Sequence, residues 1–306
     1  MNRPLLPPRV RIVEVSPRDG LQNEAAPIDT GKKVPLVDAL SDAGLPVIEV
    51  GAFVSPRWVP QMADTAEVFS RIRQRPGAAR SRSEPERCTA RRAIEAGVTE
   101  VAIFAAASET FSLRNINQPI EASLTGYAAI AREARHAGVR VRAYLSTAFG
   151  CPYEGVVPVT RVVELAVRLR DIGAYEVAVS DTIGVAHPGQ VWDVLAALEP
   201  RLPVSQVALH FHDTRGTALA NVLAALQAGI TAFDASAGGL GGCPYAPGAA
   251  GNLATEDLVS MLDGLGIATG VQLNLVARAS AAIEPSLGHP LPSRYVQALQ
   301  RRRSAP

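Results

Sequence analysis

The chain has 306 residues, 47% hydrophobic and 19% charged, an ordinary globular composition long enough for one large core or two small ones. Its 30 Lys and Arg against 29 Asp and Glu leave a formal net charge of +1. That balance implies neither a nucleic-acid partner nor a membrane surface, so any anionic ligand must be met by local charges. Cys88, Cys151 and Cys243 are too widely spaced for a disulfide framework; with no presequence pattern in Met1–Pro8 and no run of 18 apolar residues, a soluble cytoplasmic protein is expected.

Arg11–Val15 reads as a first strand, followed by the polar loop from Ser16 to Glu24. Thr30 is a plausible N-cap for a helix that Gly44 stops. Val47–Val50 is the second strand with the charge Glu49 inside it, then a proline-rich loop and a helix over Thr65–Ile72. The third strand should fall near Gly77–Glu84, where the text has no β-branched run. A helix over Thr89–Ala96, a strand over Glu100–Phe104, a Ser- and Asn-rich loop over Ala105–Gln118 and a helix over Ile120–Ala137 come next. Strands at Val139–Leu145, Glu176–Val179, Val207–His212 and Ala232–Ala235 alternate with helices at Arg161–Ile172, from Pro188, at Thr217–Ala228 and at Thr255–Leu265. Eight strand and helix pairs without a linker argue an α/β fold, a (β/α)8 TIM barrel over about 9–270, with a helical extension over about 271–306 in a single domain. A doubly wound open sheet is the alternative.

Parallel barrel strands are buried on both faces, so polar residues at their C-terminal ends stand out as chemical candidates. His210 and His212 lie two apart on one strand and therefore face one side. They are either half of a divalent-metal site or a hydrogen-bonded pair in the barrel wall. A closed barrel sets strand one beside strand eight, which brings Asp19 and Asn252 within reach of the same ion. One carboxylate, two imidazoles and an amide suit Mg²⁺ or Mn²⁺ with positions left for substrate. Taken singly, Asp19 is equally a turn residue and Asn252 a helix cap near Thr255. Arg18 can steady developing negative charge or simply pair with Glu49. Asp181 follows strand six. The Gly-rich segment Ala237–Asn252 reads as a flap carrying Cys243, a nucleophile or, with an ordinary thiol pKa of about 8.5, more naturally a proton donor. Cys151 is a weaker candidate, and Cys88 reads as structural.

Glu14-Val-Ser-Pro-Arg-Asp-Gly-Leu-Gln-Asn-Glu24, Phe53-Val-Ser-Pro-Arg-Trp-Val-Pro-Gln-Met-Ala-Asp64, Gly150-Cys-Pro-Tyr-Glu-Gly155, Ser180-Asp-Thr-Ile-Gly184, His210-Phe-His-Asp213 and Gly238-Gly-Leu-Gly-Gly-Cys-Pro-Tyr-Ala246 together resemble the hydroxymethylglutaryl-CoA lyases from about Val10 to Val271. The resemblance implies cleavage of (S)-3-hydroxy-3-methylglutaryl-CoA, an acyl-CoA, to acetyl-CoA and acetoacetate in leucine breakdown. A lyase for a longer-branched substrate and a Claisen-type acyltransferase are the alternatives, and a homodimer is compatible. By the same resemblance, Asp19, His210, His212 and Asn252 are metal ligands, with Asp19 and His210 also in the chemistry. Arg18 steadies the enolate, Cys243 protonates it, and Asp181 and Glu49 support the site. Ala78–Cys88 departs from the family pattern. Charges in a barrel strand are costly unless paired, so a distorted or displaced third strand is expected at Ala79–Glu84.

Overall fold

Parallel neighbours cannot be joined by a hairpin, so each return between them needs a crossover, usually a helix. The computed structural model describes residues 5–25, 27–54, 57–73, the backbone of 79–83, 97–242 and 250–304. It places eight strands in one closed barrel in chain order. They are β1 (Arg11–Glu14), β2 (Val47–Ala52), β3 (Ala79–Ser83), β4 (Glu100–Ala106), β5 (Arg140–Ser146), β6 (Glu176–Asp181), β7 (Val207–Phe211) and β8 (Ala232–Ala235). Strand β1 pairs in parallel with both β2 and β8, which closes the cylinder and excludes the open sheet. Around it run α1 (Thr30–Asp42), α2 (Thr65–Arg71), α3 (Glu109–Ile116), α4 (Ile120–His136), α5 (Val159–Ile172), α6 (Pro188–Leu198), α7 (Ala218–Gln227) and α8 (Thr255–Gly264), with α9 (Leu273–Ile283) and α10 (Arg294–Ser304) following the barrel. Among the described residues, no helix is long and apolar enough to cross a membrane.

Two local expectations need correction, and a third is met by distortion without displacement. The stretch 105–118 is not all loop: it contains α3, whose Ser108 side chain accepts from Phe111 N at 3.1 Å, while Asn117 ends it in the left-handed region at φ 53°. A serine that offers its oxygen to an orphan N–H is the ordinary start of a helix. Thr30 is the first helical residue rather than the cap, and its hydroxyl donates to Asp64 at 2.8 Å. The third strand is not displaced: Ala79–Ser83 pairs in parallel with β2, with a register shift between Glu49 and Gly51, and meets β4 through one registered pair, Ser83 with Ala102. Its ladder is irregular while its place in the barrel is kept. Glu84, Cys88, Cys243 and the helix expected over Thr89–Ala96 lie outside the described residues.

Alternate faces of the strands whose side chains are described serve different clusters. Ile12, Val177, Val179, Leu209 and Phe233 belong to the large apolar layer that packs the barrel on its helices. The opposite parity carries Ala102, Tyr144, Ala178, Ala208 and Ala232 into a small inner cluster. Alanines on four strands leave room inside the barrel for Arg142, the largest fully buried side chain.

The C-terminal extension grips the root of the Gly-rich segment. Ser293 N donates to Gly238 O at 3.0 Å, and a Cβ on Gly238 would come 2.7 Å from Leu291. From α8, Glu256 accepts Gly238 N with both oxygens, at 2.8 and 3.1 Å, and the Ser280 hydroxyl of α9 also donates to it. Burial raises the Glu256 pKa to about 7, although these donors pull the other way. Between its ordinary value of 4.5 and about 7 the folded state holds a proton that the unfolded chain has released. Its contribution is therefore intact below pH about 4.5 and is lost as pH rises to about 7. Urea midpoints taken from about pH 5 to 8 should show wild type losing on the order of 3 kcal/mol relative to Glu256→Gln; parallel curves would mean that Glu256 titrates like a solvated carboxyl.

Candidate active site

At the C-terminal mouth, β1 runs into a wide π-type turn over Ser16–Gly20, in which the N–H groups of Asp19 and Gly20 both reach Val15 O, at 2.7 and 3.2 Å. The turn presents Arg18 and Asp19 side by side. Strand β7 delivers His210, and His212 follows just beyond its end, where it bridges to Asn252. That bridge needs a glycine opposite: Gly241 has φ +101°, and a Cβ there would lie 2.5 Å from Asn252 Nδ2.

One ligand atom from each of Asp19, His210 and His212 lies within 4.8 Å of the others. Asn252 Nδ2 donates to Asp19 Oδ2 at 2.9 Å and to Leu240 O at 3.0 Å. With its amide nitrogen so engaged, Asn252 Oδ1 is left buried without a hydrogen-bond partner, as is His212 Nδ1. Burial and the neighbouring His210 push the His212 pKa down to about 3, so this imidazole is neutral and keeps a lone pair. Burial opposes ionisation of Asp19, but the Arg18 guanidinium, helped by the Asn252 amide donor, outweighs it and holds its pKa below the usual carboxylate value. A carboxylate, neutral imidazole and an orphaned amide oxygen at close range fit a divalent cation. Asn252 is not a helix cap: Ala254 occupies the N-cap of α8.

Arg18 is 5% exposed. Its Nε and Nη2 approach Glu49 Oε2 at 2.9 and 2.7 Å, and its Nη1 donates to Asp19 Oδ1 at 2.7 Å. Its guanidinium carbon lies 4.8 Å from the centroid of Phe104, which stacks on Tyr144 with centroids 4.5 Å apart. With five N–H donors, a guanidinium so engaged retains two N–H bonds for a ligand. Burial disfavours its charge, but Glu49 and Asp19 more than compensate, so Arg18 stays cationic. Glu49 therefore touches Arg18 directly and the ion-holding cluster only through it. Asp181 has the pleat parity of Val177 and Val179, and its oxygens accept Val185 N at 2.9 Å and Ala186 N at 3.0 Å. It shapes the loop after β6. Burial raises its pKa to about 6 against those two donors.

Sequence reasoning passed over Asp234, Arg142, Tyr144 and Phe104. Asp234 Oδ2 lies 3.2 Å from His210 Nδ1, and Arg142 Nη2 donates to Asp234 Oδ1 at 2.7 Å. Arg142 Nε donates to Glu176 Oε1 at 2.7 Å, and its Nη1 to the Tyr144 hydroxyl at 2.6 Å. The hydroxyl in turn sits 3.4 Å from Glu49 Oε2. The signal was available, since Arg142 and Asp234 are charges inside apolar strands, as Glu49 is.

A family model described as HMGL-like matches residues 9–283. The chain is 51% identical to the mitochondrial hydroxymethylglutaryl-CoA lyase of Bos taurus, over 95% of this chain and 90% of that protein. It is also 51% identical to the 3-hydroxy-3-isohexenylglutaryl-CoA/hydroxymethylglutaryl-CoA lyase of Pseudomonas aeruginosa, over 96% of this chain and 98% of that one. Its fold is similar to the crystal structure of hydroxymethylglutaryl-CoA lyase from Pseudomonas aeruginosa, with a TM-score of 0.95 and 50% identity, covering 97% of this chain and 99% of the other.

Removing one partner of a buried ion pair leaves the other uncompensated, at a cost of about 3–5 kcal/mol. Glu49→Ala should therefore lower the unfolding free energy by that amount, read as a lower urea midpoint with an unchanged denaturant slope. A shift below about 1 kcal/mol, the worth of an exposed pair, would show that Arg18 is solvated rather than held.

Proposed function

The chain belongs to the HMGL-like family, and from that premise we propose that it cleaves (S)-3-hydroxy-3-methylglutaryl-CoA to acetyl-CoA and acetoacetate, with Mg²⁺ or Mn²⁺ held at the barrel mouth. The observation that carries the proposal is the convergence of Asp19, His210 and His212 ligand atoms within 4.8 Å, beside the orphaned Asn252 oxygen and the Arg18 guanidinium. The names of the relatives support a carbon–carbon lyase over Claisen transfer. The three widely spaced cysteines support a reducing compartment, the cytoplasm in our reading.

Breaking the C2–C3 bond requires the C3 hydroxyl to lose a proton and the acetyl-CoA fragment to depart as an enolate. Asp19, His210, His212 and Asn252 would hold a divalent cation, whose positive charge would lower the pKa of that hydroxyl. Asp19, at the same cluster, takes the proton, while His210 stays a ligand. Arg18, fixed by Glu49 on one edge and Asp19 on another, aims its remaining N–H bonds at the charge that develops on the thioester oxygen. A guanidinium already locked in place needs no reorganisation as that charge forms, which is where such groups gain their effect. Cys243, on the Gly-rich segment, returns a proton to the enolate carbon, and Asp181 keeps the loop beside the mouth in shape.

Acetoacetate release from the thioester should disappear after chelation and return with Mg²⁺ or Mn²⁺. Arg18→Met should lower kcat by about 10²–10³ while Mn²⁺ still binds; His210→Ala should lose both. Cys243→Ala should bind Mn²⁺ normally but turn over slowly, and a wild-type rate in that variant would remove Cys243 as the acid. Catalysis that persists without any divalent cation would overturn the proposal as a whole.

A further inference from the structure

We propose that Asp234 is a positioning residue that fixes the tautomer of His210, so that the ring presents its Nε2 lone pair to the divalent cation, and that Arg142 aims Asp234 for this purpose. The inference rests on the metal-site reading above and extends it one layer inward. His210 and Asp234 are registered partners on β7 and β8, and Asp234 is 2% exposed. Its Oδ2 lies 3.2 Å from His210 Nδ1, and its two oxygens receive Arg142 Nη2 at 2.7 Å and Nη1 at 3.2 Å.

A carboxylate between these groups can only accept, so the hydrogen on His210 must sit on Nδ1. In a neutral imidazole that leaves Nε2 bare, the form a metal requires. Arg142 has no acceptor and cannot rotate away. Its Nε is engaged by Glu176, its Nη1 by the Tyr144 hydroxyl, and the whole side chain is buried. These contacts hold Asp234 Oδ2 beside His210 Nδ1.

Asp234→Asn separates this role from simple core stability. Either orientation of the carboxamide sets its NH₂ against an Arg142 donor, and the one that places the oxygen on Nη2 at 2.7 Å avoids the closer of the two, leaving the NH₂ 3.2 Å from Nη1. Its NH₂ then turns to His210, which can answer only by accepting on Nδ1 and moving its hydrogen to Nε2. Glu176→Gln is the matched control. It removes the other carboxylate that holds Arg142, at 2.7 Å from Nε, while leaving the Asp234 contact with His210 in place.

The test titrates Mn²⁺ by electron paramagnetic resonance and reads the His210 tautomer by ¹⁵N NMR of the metal-free protein. Wild type should carry its hydrogen on Nδ1. Asp234→Asn should carry it on Nε2 and bind Mn²⁺ about 10–100-fold more weakly, whereas Glu176→Gln should keep the wild-type tautomer and lose less than about threefold in affinity. Wild-type His210 with its hydrogen on Nε2 would overturn the inference without any variant, so it remains testable if Asp234→Asn fails to fold. So would equal losses of affinity in the two variants, or an Asp234→Asn protein that binds Mn²⁺ like wild type. If wild type itself binds no Mn²⁺, it is the metal-site reading that falls, and this inference with it.

Discussion

The structure depends on a guanidinium placed where one is least expected, inside a parallel barrel. Arg142 has no exposed surface, and a bare charge in such a place would be strongly unfavourable. It is tolerated because Asp234 and Glu176 meet it at 2.7 Å each and Tyr144 at 2.6 Å, so its planar fork is matched in direction as well as charge. Arg11 joins the same group through Glu176. Burial works against the Asp234 carboxylate, yet Arg142 outweighs it and brings its pKa down to about 2. These charges do not make the barrel stable by themselves. They give it a filled interior whose members have one mutually satisfactory arrangement.

From this centre two lines of contact rise to the mouth. One passes through Asp234 to His210; the other passes through Tyr144 and Glu49 to Arg18 and Asp19. Both end at the ion-holding cluster, so Asp19 and His210 are oriented by buried groups. Strands are suited to this task, because a residue on a registered ladder has little freedom to drift. The loops contribute what strands cannot: a wide turn after β1 that puts two adjacent side chains over the mouth, and a glycine at Gly241 that lets Asn252 close in.

The bulge in β2 and the C-terminal extension each act at the margin of this arrangement. The register shift lies between Glu49 and Gly51, so β2 holds Glu49 in step with Ser81 below it and regains pairing with β3 above it. A strand with an unpromising sequence thus keeps its station through backbone bonds, which any residue but proline can supply. Just after β8, Ser293 and Ser280 tie the extension to Gly238 and Glu256 at the root of the Gly-rich segment.

Periodicity and pleat parity were enough to read the alternating strands, the shared face of His210 and His212 and the meeting of Asp19 with Asn252, because closure of a barrel follows from the order of its elements. The same reasoning could not see α3, whose start depends on a single serine side chain turning back on the backbone. Nor could it tell that Asp181 looks to its own loop while Asp234 looks into the barrel. Both are acids near strand ends in the text, and their difference is one of facing. Local sequence carries the repeat of a strand or helix; which buried charge finds which partner is decided only when distant strands come within 3 Å or so, where electrostatics and hydrogen-bond geometry act.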